Sequence, residues 1–264
     1  MRRLLQPILM IGTFLVTMLA ATGCHLLSPR CGPEWEFSPL GFRSGALAPK
    51  SPHQSIRMDS QEVIMRLEDN SYTIDAVFHF YNTGDSTTEW VRLPKRGMSC
   101  RRGRALYPEF IRLDTWIDGT KVQFAEERSL MRRAKDFFFP EASSPTRDSL
   151  RPELYNRWMA KRVTFPGRSG TSIRVSYDAE YVSGGGPPPS PTSSGAYYIV
   201  GTSSYWAGEI KNFVFTVDAS QIGGTANLVG LSPLGLERIT EDFARYELCD
   251  YEPMPEEVVG VSAQ

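Results

Sequence analysis

Residues 72–81 read YTIDAVFHFY. Tyr72, Ile74, Ala76, Phe78 and Phe80 alternate with Thr73, Asp75, Val77, His79 and Tyr81, the period of a long strand that keeps one face in a core. Asn82, Thr83, Gly84 and Asp85 follow with turn chemistry, and Thr87 to Leu93 regains strand character, so the segment predicts a hairpin. Further along, Phe110 to Ile117 and Lys121 to Phe124 flank Asp118-Gly119, the dipeptide that favours a type I′ turn. Trp158 to Phe165 and Thr171 to Tyr181 form another strand pair, separated by Gly167 and Gly170. Tyr197 to Thr202 and Glu209 to Val217 add two more strands, with weaker candidates near Leu228 and over Phe243 to Leu248. Eight or more short strands punctuated by turns predict an all-β chain, a mostly antiparallel β-sandwich with irregular inserts.

The inserts lie after Phe124 and after Val182. Glu126 to Asp136 could form a short helix, but the Pro and Ser content after Phe139 reads as an irregular excursion to Pro152. Ser183 to Gly195 is low-complexity, with three glycines and three prolines in succession, and offers little to pack. The run Phe137, Phe138, Phe139 and Pro140 is either a plug beneath the sandwich or an exposed apolar patch for a partner.

The amino-terminal end obeys a different grammar. Arg2 and Arg3 precede an apolar run from Ile8 to Ala21, and small residues then lead to Cys24, the three-part pattern of a secretory signal. The run is short for a bilayer-spanning helix, which needs about 20 residues. The stretch Ala20-Ala21-Thr22-Gly23-Cys24 resembles the bacterial lipobox, in which small residues lead to a cysteine that receives diacylglycerol. That resemblance implies a cleaved signal helix over residues 1–23 and a lipid anchor on Cys24, with an ordinary signal peptide as the competing reading. Two acyl chains suffice for stable anchoring, since each buried methylene contributes about 0.8 kcal/mol. His25, not aspartate, follows Cys24, so the outer membrane is the expected destination in an organism that has one.

Residues 24–54 read as a flexible tether, because Pro29, Pro33, Pro39, Pro49 and Pro52 alternate with Gly32, Gly41 and Gly45 and no periodicity persists. The folded domain is expected over 55–252, and residues 253–264 read as a disordered tail. Of 29 basic and 30 acidic residues, two basic and no acidic ones precede Cys24. The exported chain therefore carries a formal charge of −3, which argues against nucleic acid as a partner.

Three cysteines besides Cys24 would enter an oxidising compartment. Cys100 and Cys249 are the expected disulfide, since Cys31 lies in the tether; three free thiols are the alternative. His25, His53 and His79 are the only histidines, two of them in the tether, so no metal-binding pair at helical spacing can be built. No Gly-x-Ser-x-Gly nucleophile turn is present, and no cofactor is implied. Lys95, Arg96, Arg101, Arg102 and Arg104 concentrate five positive charges without an intervening acid. They are a candidate contact for anionic envelope surface, or simply a solvated loop. Tyr197, Tyr198, Tyr205 and Trp206 are either a sugar-stacking platform or core.

The segments FYNTGDSTTEWVRLP, WIDGTKV, RVTFPGRSGTSIRVSY and YYIVGTSSYWAGEI, in that order over Ile56 to Ser220, resemble a group of exported bacterial β-rich domains with no assigned activity. The shared features are turns and packing positions, and they imply a fold without a mechanism. The combined expectation is a non-catalytic, membrane-anchored envelope lipoprotein that binds or scaffolds a protein or glycan of the envelope. A glycan hydrolase and a structural subunit of a surface assembly are the rivals.

Overall fold

The computed structural model describes residues 40–101, 104–106, 109–127, 156–183, 194–232, 237–238, 240–255 and 257–263. The signal segment with Cys24 and Cys31, Arg102, the Phe137–Phe139 run and the glycine-proline stretch 184–193 lie outside them. The described strands are, in chain order, β1 (Leu40–Gly45), β2 (Ala48–Pro49), β3 (Ile56–Leu67), β4 (Ser71–Asn82), β5 (Thr87–Arg101) and β6 (Arg104–Leu106). Then come β7 (Arg112–Ile117), β8 (Thr120–Val122), β9 (Ala125–Glu126), β10 (Asn156–Phe165), β11 (Ser169–Glu180) and β12 (Val182–Ser183). The last are β13 (Ser194–Ile199), β14 (Ile210–Asp218), β15 (Leu228–Ser232), β16 (Glu237–Arg238), β17 (Phe243–Tyr251) and β18 (Val258–Ala263).

They make two sheets. One runs β16-β17-β14-β3-β4-β11-β7-β8; the other runs β15-β18-β13-β1-β5-β10-β9, with β12 beside β13 and β2 and β6 beside β5. Pairing is antiparallel except for β1 with β13 and β3 with β14. The all-β sandwich is thus the observed architecture. Its core lies between the sheets: Tyr72, Ile74, Ala76, Phe78 and Phe80 from β4 meet Val91 and Leu93 from β5, Val163 and Phe165 from β10 and Ala196 and Tyr198 from β13.

Two expected hairpins are instead corners. β4 pairs with β3 and β11, whereas the returning strand β5 belongs to the other sheet. Likewise β10 pairs with β5, not with β11. The β4–β11 ladder ends at Asn82↔Ser169, and the β5–β10 ladder begins at Thr87↔Phe165. A two-stranded ribbon therefore turns from one sheet into the other, which is how sandwiches close a corner. Asn82 holds the turn: its buried Nδ2 donates to the carbonyls of Asp85 (2.7 Å) and Phe165 (3.2 Å), and its Oδ1 accepts from Gly84 N (3.0 Å). Gly167 lies so close to the facing turn that an added Cβ would sit 2.8 Å from Ser86 N. Beneath the corner, Trp206 packs on Phe80 (4.6 Å between ring centres) and Phe165 (5.9 Å), and its Nε1 donates to Leu47 O at 2.8 Å. The Asp-Gly hairpin forms as read, β7 pairing with β8 around Asp118 (φ 47°) and Gly119 (φ 77°).

Both ends of the described domain extend past their expected limits. Leu40–Gly45 is a strand within the larger sheet and not part of a tether, and Ala46, Leu47 and Ala48 are fully buried. Glycine at 45 permits the contact with β13, since a Cβ there would fall 2.1 Å from Ile199 O. Tether-like composition here reflects close backbone approach. The expected C-terminal tail contains β18, which lies between β13 and β15 and buries Val259 and Val261.

Candidate functional site

The outward face of the eight-stranded sheet forms an open groove of about 450 Å³, lined by residues of β3, β4, β11, β14 and β17. Alternation makes this face: while Val63, Met65, Ala76, Phe78, Phe213 and Phe215 point into the core, Glu62, Ile64, Val77, Val214 and Thr216 point outward. Strand register arranges them in rows. Glu247, Val214, Glu62, Val77, Arg174, Trp116 and Lys121 follow one another across the sheet from β17 to β8. The next row holds Arg245, Thr216, Ile64, Asp75, Ser176 and Asp114. On the other side of the first row, Cys249, Asn212, Ser60, His79 and Ser172 form a third.

Charges at the two flanks are compensated within the protein. Arg174 clasps Asp75 through Nε (2.9 Å) and Nη2 (2.5 Å) while its guanidinium lies 5.0 Å over the Trp116 ring. That hydrogen bonding raises the Arg174 pKa further above its ordinary value. Arg112 bridges Asp178 with two bonds of 2.9 Å and Asp114 with a third of 2.9 Å, and Lys121 reaches Asp114 at 2.6 Å. The Arg112 guanidinium therefore holds the Asp178 carboxyl below the usual range; Lys121, with Arg112, does the same for Asp114. At the opposite flank Arg245 pairs with Glu247 at 2.9 Å.

The middle of the groove is different. Val77 and Val214 flank Glu62, and Ile64, 38 % exposed, follows it along β3. Among the described residues Glu62 makes no ion pair or side-chain hydrogen bond, and Asn212 Oδ1 is buried without a donor. Nothing in the sequence marks this place as a motif. Its only trace is an excess of apolar residues on faces otherwise polar: Val77 among Thr73, Asp75 and His79, and Ile64 between Glu62 and Arg66.

The residues singled out from sequence do not converge here. Lys95 is not part of a loop: it lies on β5, faces inward, is only 3 % exposed and is neutralised by Glu109 and Glu126. The basic stretch continues as strand through Arg96 to Arg101 and folds back as a hairpin in which Cys100 opposes Ala105 and Arg101 opposes Arg104. The Cys100–Cys249 disulfide is not formed. Cys249 is a free, exposed thiol on β17 in the eight-stranded sheet, whereas Cys100 belongs to the other sheet's β5–β6 hairpin. Tyr198 and Trp206 are core residues and cannot stack a sugar, while Tyr205 stays 42 % exposed. His79 sits outward on β4, and His53 accepts the backbone N–H groups of Ser55 and Ile56 through Nδ1. Among the described residues no cluster of three or more His, Cys, Asp or Glu is placed to hold a metal ion, and no helix is long and apolar enough to cross a membrane.

No protein-family model matches the chain, and no curated protein matches it. Among solved structures it is similar to a "putative nutrient binding protein" of Legionella pneumophila, with a TM-score of 0.54 and 14 % identity over 85 % of this chain and 71 % of that one. It also overlays on an M1 zinc metallopeptidase of Deinococcus radiodurans with a TM-score of 0.35 and 7 % identity, spanning 43 % of that enzyme. The first likeness supports the fold; the second is too slight to carry an argument.

Proposed function

We propose that this chain is a non-catalytic binding protein of the bacterial envelope, held to a membrane by lipid on Cys24, that captures a small ligand in the outward groove of its eight-stranded sheet. The observation that carries the reading is the groove's construction. Apolar Val77, Val214 and Ile64 meet a few converging polar groups in about 450 Å³, within the roughly 300–1,000 Å³ usual for small-molecule sites. The sheet beneath is rigidly paired on both sides of β3 and β4, so the floor is preformed. The nutrient-binding description of the Legionella pneumophila protein agrees with a binding role. The anchor rests on the signal grammar and lipobox resemblance of residues 1–24.

Two experiments test the parts separately. Cys24→Ser is expected to abolish acylation and release the protein from the membrane fraction; acyl label persisting on the variant would contradict the anchor. For the groove, the full-length protein is incubated with a small-molecule extract, desalted and examined by mass spectrometry. Wild type should retain a compound that Val214→Trp, with a bulky ring on the groove floor, does not. Identical retention by both proteins would refute the groove.

A further inference from the structure

We infer that the β5–β6 hairpin is a contact for anionic lipid headgroups, laid on the membrane that holds the anchor; the inference rests on the lipid anchor proposed for Cys24. β1 enters the larger sheet antiparallel to β5, with Leu40 opposite Met98. The chain coming from Cys24, sixteen residues earlier, therefore arrives beside the strand from which the hairpin projects. From Met98 the hairpin runs on to Arg101 and returns as β6, which carries it roughly 10 Å past Leu40 at the rise of three strand residues. Sixteen residues span at most about 55 Å, so the anchor holds this end of the sheet within reach of the bilayer. The corner beyond Thr87 lies at the other end of β5, roughly 36 Å further along it.

Two pairings in this region point to an anionic partner. Arg43 stands opposite Arg96 in the β1–β5 ladder, and Arg101 stands opposite Arg104 in the hairpin. Residues directly opposite share a face of the sheet, and like charges placed so are destabilising. No acid occurs in residues 37–58 or 90–106, and the described acids beside this part of β5, Glu109 and Glu126, are engaged by Lys95 and Arg157. The strands themselves therefore supply no counter-charge to the four arginines. Arg96 and Arg101 are five residues apart on β5, which separates the two pairs by roughly 16 Å and places them on opposite faces. One phosphate or carboxylate could not serve both. A leaflet bearing anionic headgroups offers many charges over that distance, and each basic residue brought close to it gains about fivefold in partition. The anchor makes the contact intramolecular, so a weak individual affinity is enough to keep the hairpin engaged.

The test uses the protein purified from the membrane fraction and reconstituted in nanodiscs of phosphatidylcholine, or of phosphatidylcholine and phosphatidylglycerol in a two-to-one ratio. Amide hydrogen exchange is followed by mass spectrometry, and the intact mass reports acyl chains on Cys24. Exchange over residues 96–106 is expected to slow at least threefold in the anionic discs, while the turns at Asn82–Asp85 and Asp118–Gly119 do not change. Added salt should remove the difference, since such contacts are screened. Arg101→Ser combined with Arg104→Ser should abolish most of it, with a thermal midpoint no lower than that of wild type because a like-charge pair has been removed. Equal exchange in both discs, on protein that carries acyl mass, would overturn the inference and leave the anchor standing. Slowing that persists in the double variant would overturn it in the same way. Absence of acyl mass on Cys24 would remove the anchor and the inference with it. If soluble polyglutamate protects the hairpin as fully in neutral discs, the partner is an acidic polymer and the membrane contact is wrong.

Discussion

The two faces of the eight-stranded sheet are built from alternate residues of the same strands, yet they treat their polar groups in opposite ways. On the inward face polar atoms are few and most are tied to the protein: Gln61 Nε2 donates to the Tyr198 hydroxyl at 2.9 Å, and Asn82 satisfies three backbone groups at the corner, while Gln61 Oε1 and Thr171 Oγ1 are left buried without a partner. Burial pushes the Tyr198 and Tyr177 phenols well above their ordinary values, so they remain uncharged. On the outward face charged groups are plentiful and paired along the flanks, while Glu62 in the centre is left to solvent or to a ligand. A buried polar group without a partner costs about 1–3 kcal/mol, so the core cannot carry many. An exposed carboxylate costs the fold little and can be held in reserve for binding.

The largest effect that separates the faces should come from the corner cluster. Trp206→Ala removes the ring shared by Phe80 and Phe165 and leaves Leu47 O without its donor; a loss of about 3–5 kcal/mol in unfolding free energy is expected, as for other buried aromatics. A denaturant titration checks it, and a change below about 1 kcal/mol would mean that the corner is not closed as described. Asn82→Ala should cost less, about 1–3 kcal/mol, because it orphans Gly84 N and two carbonyls without opening a large cavity. Asn82→Asp tests the same latch from another side: it keeps the acceptor for Gly84 N but turns a buried carboxylate oxygen toward the carbonyls of Asp85 and Phe165, so it should cost at least as much as Ala.

Smaller again is the effect of the flanking ion pairs, and its sign depends on pH. Asp178 and Asp114 are held below the ordinary carboxylate value by Arg112 and Lys121, so their contribution is complete above about pH 4, the unfolded value. It is lost as pH falls through the lower folded values. Arg112→Ala should therefore weaken the native state little at neutral pH, about 1 kcal/mol or less for so exposed a pair, and should shift acid unfolding to higher pH. An unchanged acid midpoint would show that the pairs do not depress these carboxylates.

The same division explains what could be read from the chain. The inward face of β4 was legible because alternation alone places Tyr72, Ile74, Ala76, Phe78 and Phe80 together. The corner was not, since a turn at Asn82–Asp85 looks the same whether the next strand pairs back or crosses to a second sheet; Trp206 and Phe165, which decide the matter, lie more than 80 residues away. Composition misled at Gly41–Pro52, where glycine serves close strand contact, and at residues 258–263, where a short VVGVSA run reads as a tail until β13 pairs with it. Charge counting misled at Lys95, whose counter-ions Glu109 and Glu126 come from separate segments. The groove was hidden for the same reason: Val214 and Asn212 join Glu62 and Val77 only through the parallel pairing of β3 with β14, which no local signal announces.

The claim that ligand capture belongs to the outward face is tested most directly by methyl NMR of the full-length protein during titration with the compound that wild type, but not Val214→Trp, retains from a small-molecule extract. The account predicts shifts concentrated on Ile64, Val77 and Val214, while the inward methyls of Met65, Ile74 and Val217 on the same strands stay still. Shifts confined to the larger sheet, or no response at any of the three outward residues, would contradict it.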